Sequence, residues 1–132
     1  MQTFLPYADF NNSLQCLDYR RAGKQRVEAM QIYKTIMGES KGWRKHPIVI
    51  MWKKYPNALA LYHNITIEEW VKRGYNNNMK KIRIKGKIIL PSWFGNQEFH
   101  ASHRSNLLRK NHDFYSRYGW EEPDNLPYIW FQ

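Results

Sequence analysis

The spacing of apolar positions predicts a chain built mainly from α-helices. Starting from possible Asn and Ser caps at positions 11–13, apolar residues recur at helical spacing as far as Gly38, a common C-terminal stop. This long first helix is predicted to contain about 25 residues and to measure roughly 37 Å. Pro47 and Pro56 suit the first turns of a short second helix and of a third helix, which ends at Gly74.

The remainder of the chain is predicted to contain loops and one more helix. The stretch NNNMKKIRIKGKIILP has Ile82 and Ile84 alternating with basic residues before a glycine, which predicts a basic loop or a short hairpin. Asn96 suits the cap of a fourth helix, with Glu98 in its first turn. The aromatic C-terminal tail YGWEEPDNLPYIWF is expected to lie extended across the helices. The predicted fold is all-α, in one compact domain covering residues 1–132.

The first predicted helix carries charged groups on the face that should contact the protein. On a helical wheel at about 100° per residue, one arc of roughly 100° is apolar at its ends and polar in its middle. Its members are Leu14, Leu17, Asp18, Arg21, Gln25, Glu28, Ile32 and Ile36. The residues predicted to be solvated on the far side are Arg20, Lys24, Gln31 and Lys34. Since half-buried charges must be paired, the arc is a structural ion network or the floor of a cleft where cations flank a carboxylate. The third interpretation is an ordinary solvated face of the helix.

The composition favours a polyanionic partner. The chain has 21 Lys and Arg against 11 Asp and Glu, a net charge of +10, and 16% of its residues are aromatic, including six Trp. This combination is typical of nucleic-acid-binding proteins, in which cations bind phosphates and aromatic rings stack on bases. The alternative is a basic domain whose aromatic residues form its core.

Length and cysteine content limit the class of protein. A chain of 132 residues can form one domain with a sizeable core and needs no disulfide or metal to stabilise it. The single cysteine, Cys16, cannot form an internal disulfide and favours an intracellular, cytoplasmic setting. No signal peptide is expected, and no apolar run approaches the roughly 20 residues of a membrane span.

Two further stretches carry candidate chemistry. The segment KKIRIKGK at residues 80–87 suits either contact with a DNA backbone or an ordinary solvated loop. His100, His103 and Arg104 share one face of the fourth helix. Two histidines at this spacing can bind a metal, but no third ligand is evident, so a phosphate or sugar contact, or a hydrogen-bonded core position, is expected instead. We predict no metal and no cofactor.

Five stretches of the chain, taken in order, resemble one family. They are LDYRRAGKQRVEAMQI, HPIVIMW, EEWVKRGYN, FHASHRSNLLRKN and FYSRYGW. Together they resemble the pyrimidine-dimer DNA glycosylase and AP-lyase family of the phage endonuclease V type. No single stretch is specific, but their order and spacing across most of the chain form a fairly specific set.

The resemblance implies a fold and a reaction. The family fold is a compact all-α domain whose N-terminal segment reaches into the active site beside the first helix. Members bind double-stranded DNA with damaged pyrimidines, flip a nucleotide out of the duplex, and attack C1′ of the 5′ pyrimidine with the α-amine of the chain. The resulting imine permits β-elimination and strand cleavage, and a glutamate assists. A monomer without a cofactor is expected by analogy with the family.

The resemblance also implies candidate catalytic residues. Glu28 is the expected carboxylate, because it is the only Glu on the first predicted helix and lies in the polar arc. The best-known members place their Glu nearer the position of Gly23, which leaves Asp18 as the alternative. The expected nucleophile is the α-amine of Met1. Known members expose a Thr after losing the initiator Met, whereas the second residue here is the bulky Gln2.

Several alternatives stay open at this point. If Met1 does not supply the amine, then trimming exposes another residue, Lys24 serves instead, or the enzyme lacks the lyase step. One alternative substrate is another damaged or modified pyrimidine, and one alternative function is a non-catalytic nucleic-acid-binding module. The expected DNA contacts are Arg21, Gln25, Arg26, Lys85, Lys87, His103 and Arg104.

Overall fold

The protein folds into six α-helices and contains no β-strand, which confirms the predicted all-α class. The computed structural model describes all 132 residues. The helices are α1 (Phe10–Gln15), α2 (Tyr19–Ile36), α3 (Pro47–Trp52), α4 (Pro56–Lys72), α5 (Gln97–Lys110) and α6 (His112–Tyr115), and a 3-10 turn follows at Ser116–Tyr118. They enclose one hydrophobic cluster of 22 buried side chains. None of the helices has the length and apolarity that a membrane span requires.

The prediction of a single long first helix is wrong, because residues 16–18 separate α1 from α2. Asp9 caps α1 by accepting a hydrogen bond from the backbone N–H of Asn12 (2.7 Å), so the cap precedes the predicted positions. The backbone N–H of Asp18 donates to the hydroxyl of Tyr115 (3.0 Å) instead of to a helical carbonyl. A tertiary hydrogen bond therefore interrupts the helical pattern.

The other helix boundaries follow the sequence signals. α2 ends before Gly38, whose φ of 80° is the left-handed conformation that glycine adopts without strain. Pro47 and Pro56 open α3 and α4 as predicted, and α4 ends shortly before Gly74. The side chain of Asn96 caps α5, also as predicted. Caps and stops are local features, which is why the sequence locates them well.

The packing of α2 against α4 forms the centre of the molecule. Ala22 and Ala29 of α2 are buried, and their small side chains allow the two helices to approach closely. Gly23 faces Trp70 of α4, and a Cβ at Gly23 would lie 3.0 Å from Cη2 of the indole. The largest fully buried side chains of the molecule include Trp52, Tyr62, Tyr115 and Phe99.

Residues 75–91 form an irregular loop without a strand, so the short hairpin is absent. Two asparagines of α4 hold this basic loop. Asn64 exchanges two hydrogen bonds with the backbone of Ile82 (2.7 and 2.8 Å). Asn57 donates to the backbone carbonyls on both sides of Gly86 (2.8 and 2.9 Å). The helix thus takes the place of the partner strand, and the basic side chains stay exposed.

The C-terminal residues 119–132 contain no helix or strand and contact α5. Oγ of Ser105 donates to the carbonyl of Pro123, and Nδ2 of Asn106 donates to the carbonyl of Leu126 (3.0 Å). Side chains of α5 therefore bind the backbone of the tail. The one-turn helix α6, which precedes the tail, was not expected from the sequence.

We expect Gly23→Ala to destabilise the fold, although alanine is the better helix former. Alanine gains about 1 kcal/mol over glycine within a helix, but the new Cβ would meet the indole of Trp70 at 3.0 Å. Because that ring is buried, overpacking of about 1–3 kcal/mol should outweigh the gain. Urea unfolding measures the change in the free energy of unfolding.

Gly42→Ala is the matched control, since nothing lies within 4 Å of the Cβ it would add. It should change the free energy of unfolding by less than about 0.5 kcal/mol. If Gly23→Ala proved more stable than the wild type, the tight packing of α2 on α4 would be contradicted.

Candidate active site

The N-terminal segment, defined as residues 1–6, is mostly buried although it belongs to no helix or strand. Thr3, Phe4 and Leu5 are at most 5% exposed, so water cannot satisfy their backbone groups. An unpaired buried donor or acceptor costs about 1–3 kcal/mol. Side chains of the surrounding helices must therefore supply the hydrogen bonds. Residues of α2, α4 and α5 do so.

Gln25 of α2 is the central anchor of the N-terminal segment and is 1% exposed. Its carbonyl oxygen accepts a hydrogen bond from the backbone N–H of Phe4 (3.0 Å). Its amide nitrogen donates one proton to the carbonyl of Gln2 (2.9 Å) and the other to Oε2 of Glu28 (3.0 Å). The hydroxyl of Tyr62 lies 2.5 Å from the Gln25 oxygen and 3.0 Å from the Phe4 carbonyl. One side chain therefore positions both the segment and Glu28.

Two buried histidines of α5 hold the backbone of Leu5. Nδ1 of His103 accepts a hydrogen bond from the Leu5 N–H (2.9 Å), and Nδ1 of His100 lies 2.7 Å from the Leu5 carbonyl. Nε2 of His100 accepts from the backbone N–H of Gly95 (3.0 Å), so the His100 ring carries its single proton on Nδ1. Burial lowers the pKa of His100. Burial, together with neighbouring His100, lowers the pKa of His103 to about 3, so this ring is neutral near pH 7.

These contacts favour the core interpretation of the histidines. His103 is 1% exposed, which does not fit the predicted contact with DNA, because a buried ring cannot reach a phosphate. Arg104 donates to the carbonyl of Pro6 (2.7 Å) and to the carboxylate of Glu122 (2.9 Å). No group of three or more His, Cys, Asp or Glu side chains is placed to hold a metal ion. This face of α5 anchors the N-terminal segment.

A cavity of about 490 Å³ opens where the N-terminal segment meets α2, and we call it the active cavity. Met1 and Phe4 line it from the segment, Glu28 from α2, and Tyr128 from the C-terminal tail. Its cationic side chains are Arg20, Arg21, Lys24 and Lys110. Glu28 is its single carboxylate, so the cavity has a positive field that favours an anionic substrate.

Four of the predicted site residues meet at this cavity. Met1 and Glu28 line it, and so do Arg21 and Gln25. The arc of α2 divides at this point: Gln25 is buried against the segment, whereas Arg21 and Glu28 remain partly exposed to the cavity. The part of the polar arc from Arg21 to Glu28 therefore lies on the floor of a cleft.

Asp18, the alternative carboxylate, does not line the cavity and is 7% exposed. Its Oδ1 accepts hydrogen bonds from the hydroxyl of Tyr115 and from Arg21 (3.1 Å). Burial alone would raise the pKa of Asp18, but the bonds from Tyr115 and Arg21 outweigh burial and lower the pKa. Asp18 therefore fixes Arg21 and joins the start of α2 to α6.

Three other predicted DNA contacts lie outside the lining of the active cavity. The guanidinium of Arg26 lies 4.6 Å from the ring centre of Trp70 and donates to Asn77 (2.7 Å). Lys85 and Lys87 are exposed on the basic loop and form no ion pair. They remain free to bind a phosphate backbone.

Part of the cavity lining was not expected from the sequence. Lys24 and Arg20 were assigned to the solvated side of the helix; both are exposed, yet both line the cavity. Side chains four positions apart on a helix point in directions that differ by only about 40°. The i,i+4 spacing of Lys24 and Glu28 could therefore have indicated their proximity. Lys110 and Tyr128 come from distant stretches, and no local pattern marks them. Burial, followed by the charges of neighbouring cations, lowers the pKa of Lys110.

A comparison with protein families identifies the chain. A family model described as pyrimidine dimer DNA glycosylase matches residues 1–83. The chain belongs to this family. It is an enzyme family of DNA repair, and membership implies damaged DNA as the substrate. The comparisons with curated proteins and with solved structures gave no match.

The family match confirms the resemblance found in the sequence. The matched region contains the N-terminal segment, Gln25 and Glu28. Within it, hydrogen bonds from Gln25 join the segment to Glu28. The cavity residues Lys110 and Tyr128 lie beyond it.

The buried histidines predict a loss of stability in mild acid. His103 has a pKa of about 3 in the folded chain and an ordinary value near 6.5 in the unfolded chain. Below about pH 6.5 the unfolded chain therefore binds a proton that the folded chain excludes, so stability falls as the pH decreases toward 3. One such group costs about 2–3 kcal/mol at pH 4.5. Urea unfolding between pH 7 and pH 4.5 measures this slope.

His103→Asn is the control for this pH dependence, because its amide oxygen can accept from the Leu5 N–H but does not titrate. Its slope should be shallower than that of the wild type. His100 and His63, whose pKa values burial also lowers, contribute in the same direction in both proteins. Equal slopes in the two proteins would show that His103 is not the cause.

Gln25→Met should detach the N-terminal segment, because it removes the amide while retaining a similar volume. The Phe4 N–H, the Gln2 carbonyl and Tyr62 would lose their shared partner, at a cost of about 2–4 kcal/mol in the free energy of unfolding. Hydrogen exchange of the Phe4 amide should accelerate more than exchange in the centre of α4.

Gln31→Met, on the exposed side of α2, is the matched control and should change stability by less than about 0.5 kcal/mol. Unchanged protection of the Phe4 amide in Gln25→Met would show that Gln25 does not hold the segment.

Proposed function

We propose that this protein is a DNA-repair glycosylase with AP-lyase activity that excises pyrimidine dimers from double-stranded DNA. The observation that carries the proposal is the amide of Gln25, which binds the N-terminal segment and Glu28 at once. Met1, which carries the proposed nucleophilic amine, and Glu28, the proposed carboxylate, both line the active cavity, which supports this assignment. We further propose that residues 1–132 act as a single domain and as a monomer, and that the reaction uses no cofactor.

The proposed reaction requires an amine and a carboxylate. The α-amine of Met1 forms a bond to C1′ of the 5′ pyrimidine nucleotide while the glycosidic bond breaks. Loss of an amine proton and opening of the sugar ring then give an imine. Removal of a proton from C2′ expels the 3′ phosphate and cleaves the strand. Glu28 stabilises the positive charge that develops on the sugar and transfers protons.

The charge of the active cavity supports a DNA substrate. Four cationic side chains surround the single carboxylate of Glu28, and this excess favours the phosphates on both sides of a flipped nucleotide. Arg21 is held by Asp18 in a fixed orientation, which suits it for a phosphate contact. A volume of about 490 Å³ lies within the usual range for small-molecule sites.

The local geometry favours Glu28 over Asp18 as the catalytic carboxylate. Glu28 lines the cavity and accepts one hydrogen bond, from Gln25, whereas Oδ1 of Asp18 is occupied by Tyr115 and Arg21. We propose a positioning role for Asp18.

The DNA duplex should also contact exposed cations outside the cavity. We propose backbone contacts for Lys85 and Lys87, which have no acidic partner. Arg26 and Arg104 make contacts within the protein, which favour supporting roles beside Trp70 and Pro6.

Glu28→Gln should abolish most of the base excision while leaving the fold intact. Glutamine can still accept a hydrogen bond from Gln25 but cannot stabilise positive charge or transfer a proton, so the rate should fall about 10²–10⁴-fold. A labelled duplex with one cis-syn thymine dimer, analysed on denaturing gels, measures excision and cleavage. Glu39→Gln, an exposed position outside the cavity, is the matched control and should retain full activity. Full activity of Glu28→Gln would refute the role of Glu28.

Borohydride trapping on the same duplex identifies the nucleophile. A covalent adduct is expected on the amine of Met1, and mass mapping distinguishes it from adducts on Lys24 or Lys110, the other amines of the cavity. An adduct on either lysine would refute the α-amine mechanism. Cleavage that appears only after alkali would mean a glycosylase without the lyase step, and no cleavage would direct the search to another damaged pyrimidine.

A further inference from the structure

A loop outside the active cavity carries a concentration of unpaired positive charge. This loop, residues 41–46, borders a shallow, open cavity of about 410 Å³, whose wall is a concave surface. The lining residues are Lys41, Trp43, Arg44, Lys45 and His46. All four ion pairs of the protein lie elsewhere, so no carboxylate neutralises the three cations of this surface. A concave surface of this charge suits an anionic ligand.

Trp43 occupies an exposed and strained position in this loop. Its φ of 67° lies in the left-handed region that residues other than glycine rarely adopt, and its side chain is 58% exposed. Hydrogen bonds fix the backbone on both sides. The single hydroxyl proton of Thr35 is shared between the carbonyls of Gln31 (2.9 Å) and Gly42 (3.2 Å). The N–H of His46 donates to the carbonyl of Trp43 (2.8 Å). Burial of the indole does not compensate for the strain, which points to a binding role.

A row of aromatic rings connects the loop with the wall of the active cavity. The ring of Trp43 lies 5.9 Å from that of His46, centre to centre, and His46 lies 6.1 Å from Trp130. Trp130 in turn lies 5.6 Å from Tyr128, which lines the cavity. Burial, followed by the positive charge of the N-terminal amine, lowers the pKa of His46, which agrees with a location near Met1. The loop therefore borders the same side of the molecule as the cavity.

We propose that the 41–46 loop is a second DNA-binding surface, which holds one nucleotide of the substrate beside the active cavity. Lys41, Arg44 and Lys45 bind the phosphates of this nucleotide, and the indole of Trp43 stacks on its base. The inference rests on the proposed function, because it takes the active cavity as the site of the damaged nucleotide. Phosphate charge and an exposed base face are the features that an unstacked nucleotide presents to a protein.

Two triple variants of equal charge test the phosphate contacts. One combines Lys41→Ala, Arg44→Ala and Lys45→Ala. The control combines Lys53→Ala, Lys54→Ala and Lys72→Ala, three exposed positions that line neither cavity. Fluorescence anisotropy with a duplex carrying one cis-syn thymine dimer measures binding at several salt concentrations.

We expect the loop variant to bind at least about tenfold more weakly than the control. The negative slope of the logarithm of the binding constant against the logarithm of salt concentration should become shallower by about 2 to 3 relative to the wild type, because up to three phosphate contacts are lost. Binding by the loop variant that equals the binding of the control overturns the proposal.

Three substitutions of one residue test the stacking contact. Trp43→Ala should weaken binding about tenfold, and Trp43→Phe should retain most of the affinity because it keeps an aromatic face. Trp43→Gly should weaken binding as much as Trp43→Ala but should raise Tm by about 2–5 °C, because glycine relieves the left-handed backbone. Wild-type affinity of Trp43→Ala overturns the stacking role.

The failure of this inference can be distinguished from the failure of the proposed function. If the wild type excises the dimer while the loop variants bind and cleave like the wild type, only the loop surface is refuted. If the wild type leaves the dimer intact while the loop variants still lose binding to the same duplex, the loop surface stands and the proposed function is refuted.

Discussion

The amide of Gln25 joins the N-terminal segment to Glu28, and the geometry of the active cavity depends on this interaction. The segment is buried without secondary structure, so its backbone groups need partners from side chains. Gln25 provides two of these contacts, to the Phe4 N–H and the Gln2 carbonyl, and the neutral rings of His100 and His103 provide two more at Leu5. The remaining amide proton of Gln25 binds Glu28. The buried polar side chains of Gln25, His100 and His103 are therefore needed to hold the start of the chain beside the carboxylate of Glu28.

Charged side chains around this core are partly paired and partly unpaired. Asp18 and Glu122 neutralise Arg21 and Arg104 close to the N-terminal segment. Lys24, Lys110 and the cations of the 41–46 loop have no acidic partner within ion-pair distance. The Arg104–Glu122 pair supports the scaffold, whereas Arg21 is held by Asp18 and still lines the active cavity. Lys24, Lys110 and the loop cations lie on surfaces that face solvent or the cavity. The four ion pairs contribute no net charge, so the net charge of +10 comes from the charges outside them.

The aromatic residues divide in a similar manner. Trp52 and Trp93 belong to the core, and Trp70 packs against α2, which supports the core interpretation of part of the aromatic content. Trp43 and Trp130 are exposed, at 58% and 37%, near the cavity and the loop. Composition left a stacking surface and an aromatic core as alternatives, and it could not assign individual rings, because every tryptophan has the same intrinsic preference for burial.

The sequence by itself determined the helical class, the starts of α3, α4 and α5 at Pro47, Pro56 and Asn96, and the family. It also identified Glu28, Gln25 and Arg21 as one polar arc. These features arise from local backbone chemistry and helical periodicity, which act over a few residues. Only the tertiary structure decided that the hydroxyl of Tyr115 binds the Asp18 N–H and separates α1 from α2. It also decided that His103 is buried, and that Lys110 and Tyr128 complete the cavity. Such contacts join residues that lie about a hundred positions apart in the chain, and no local pattern encodes them, because their energy appears only when the helices pack.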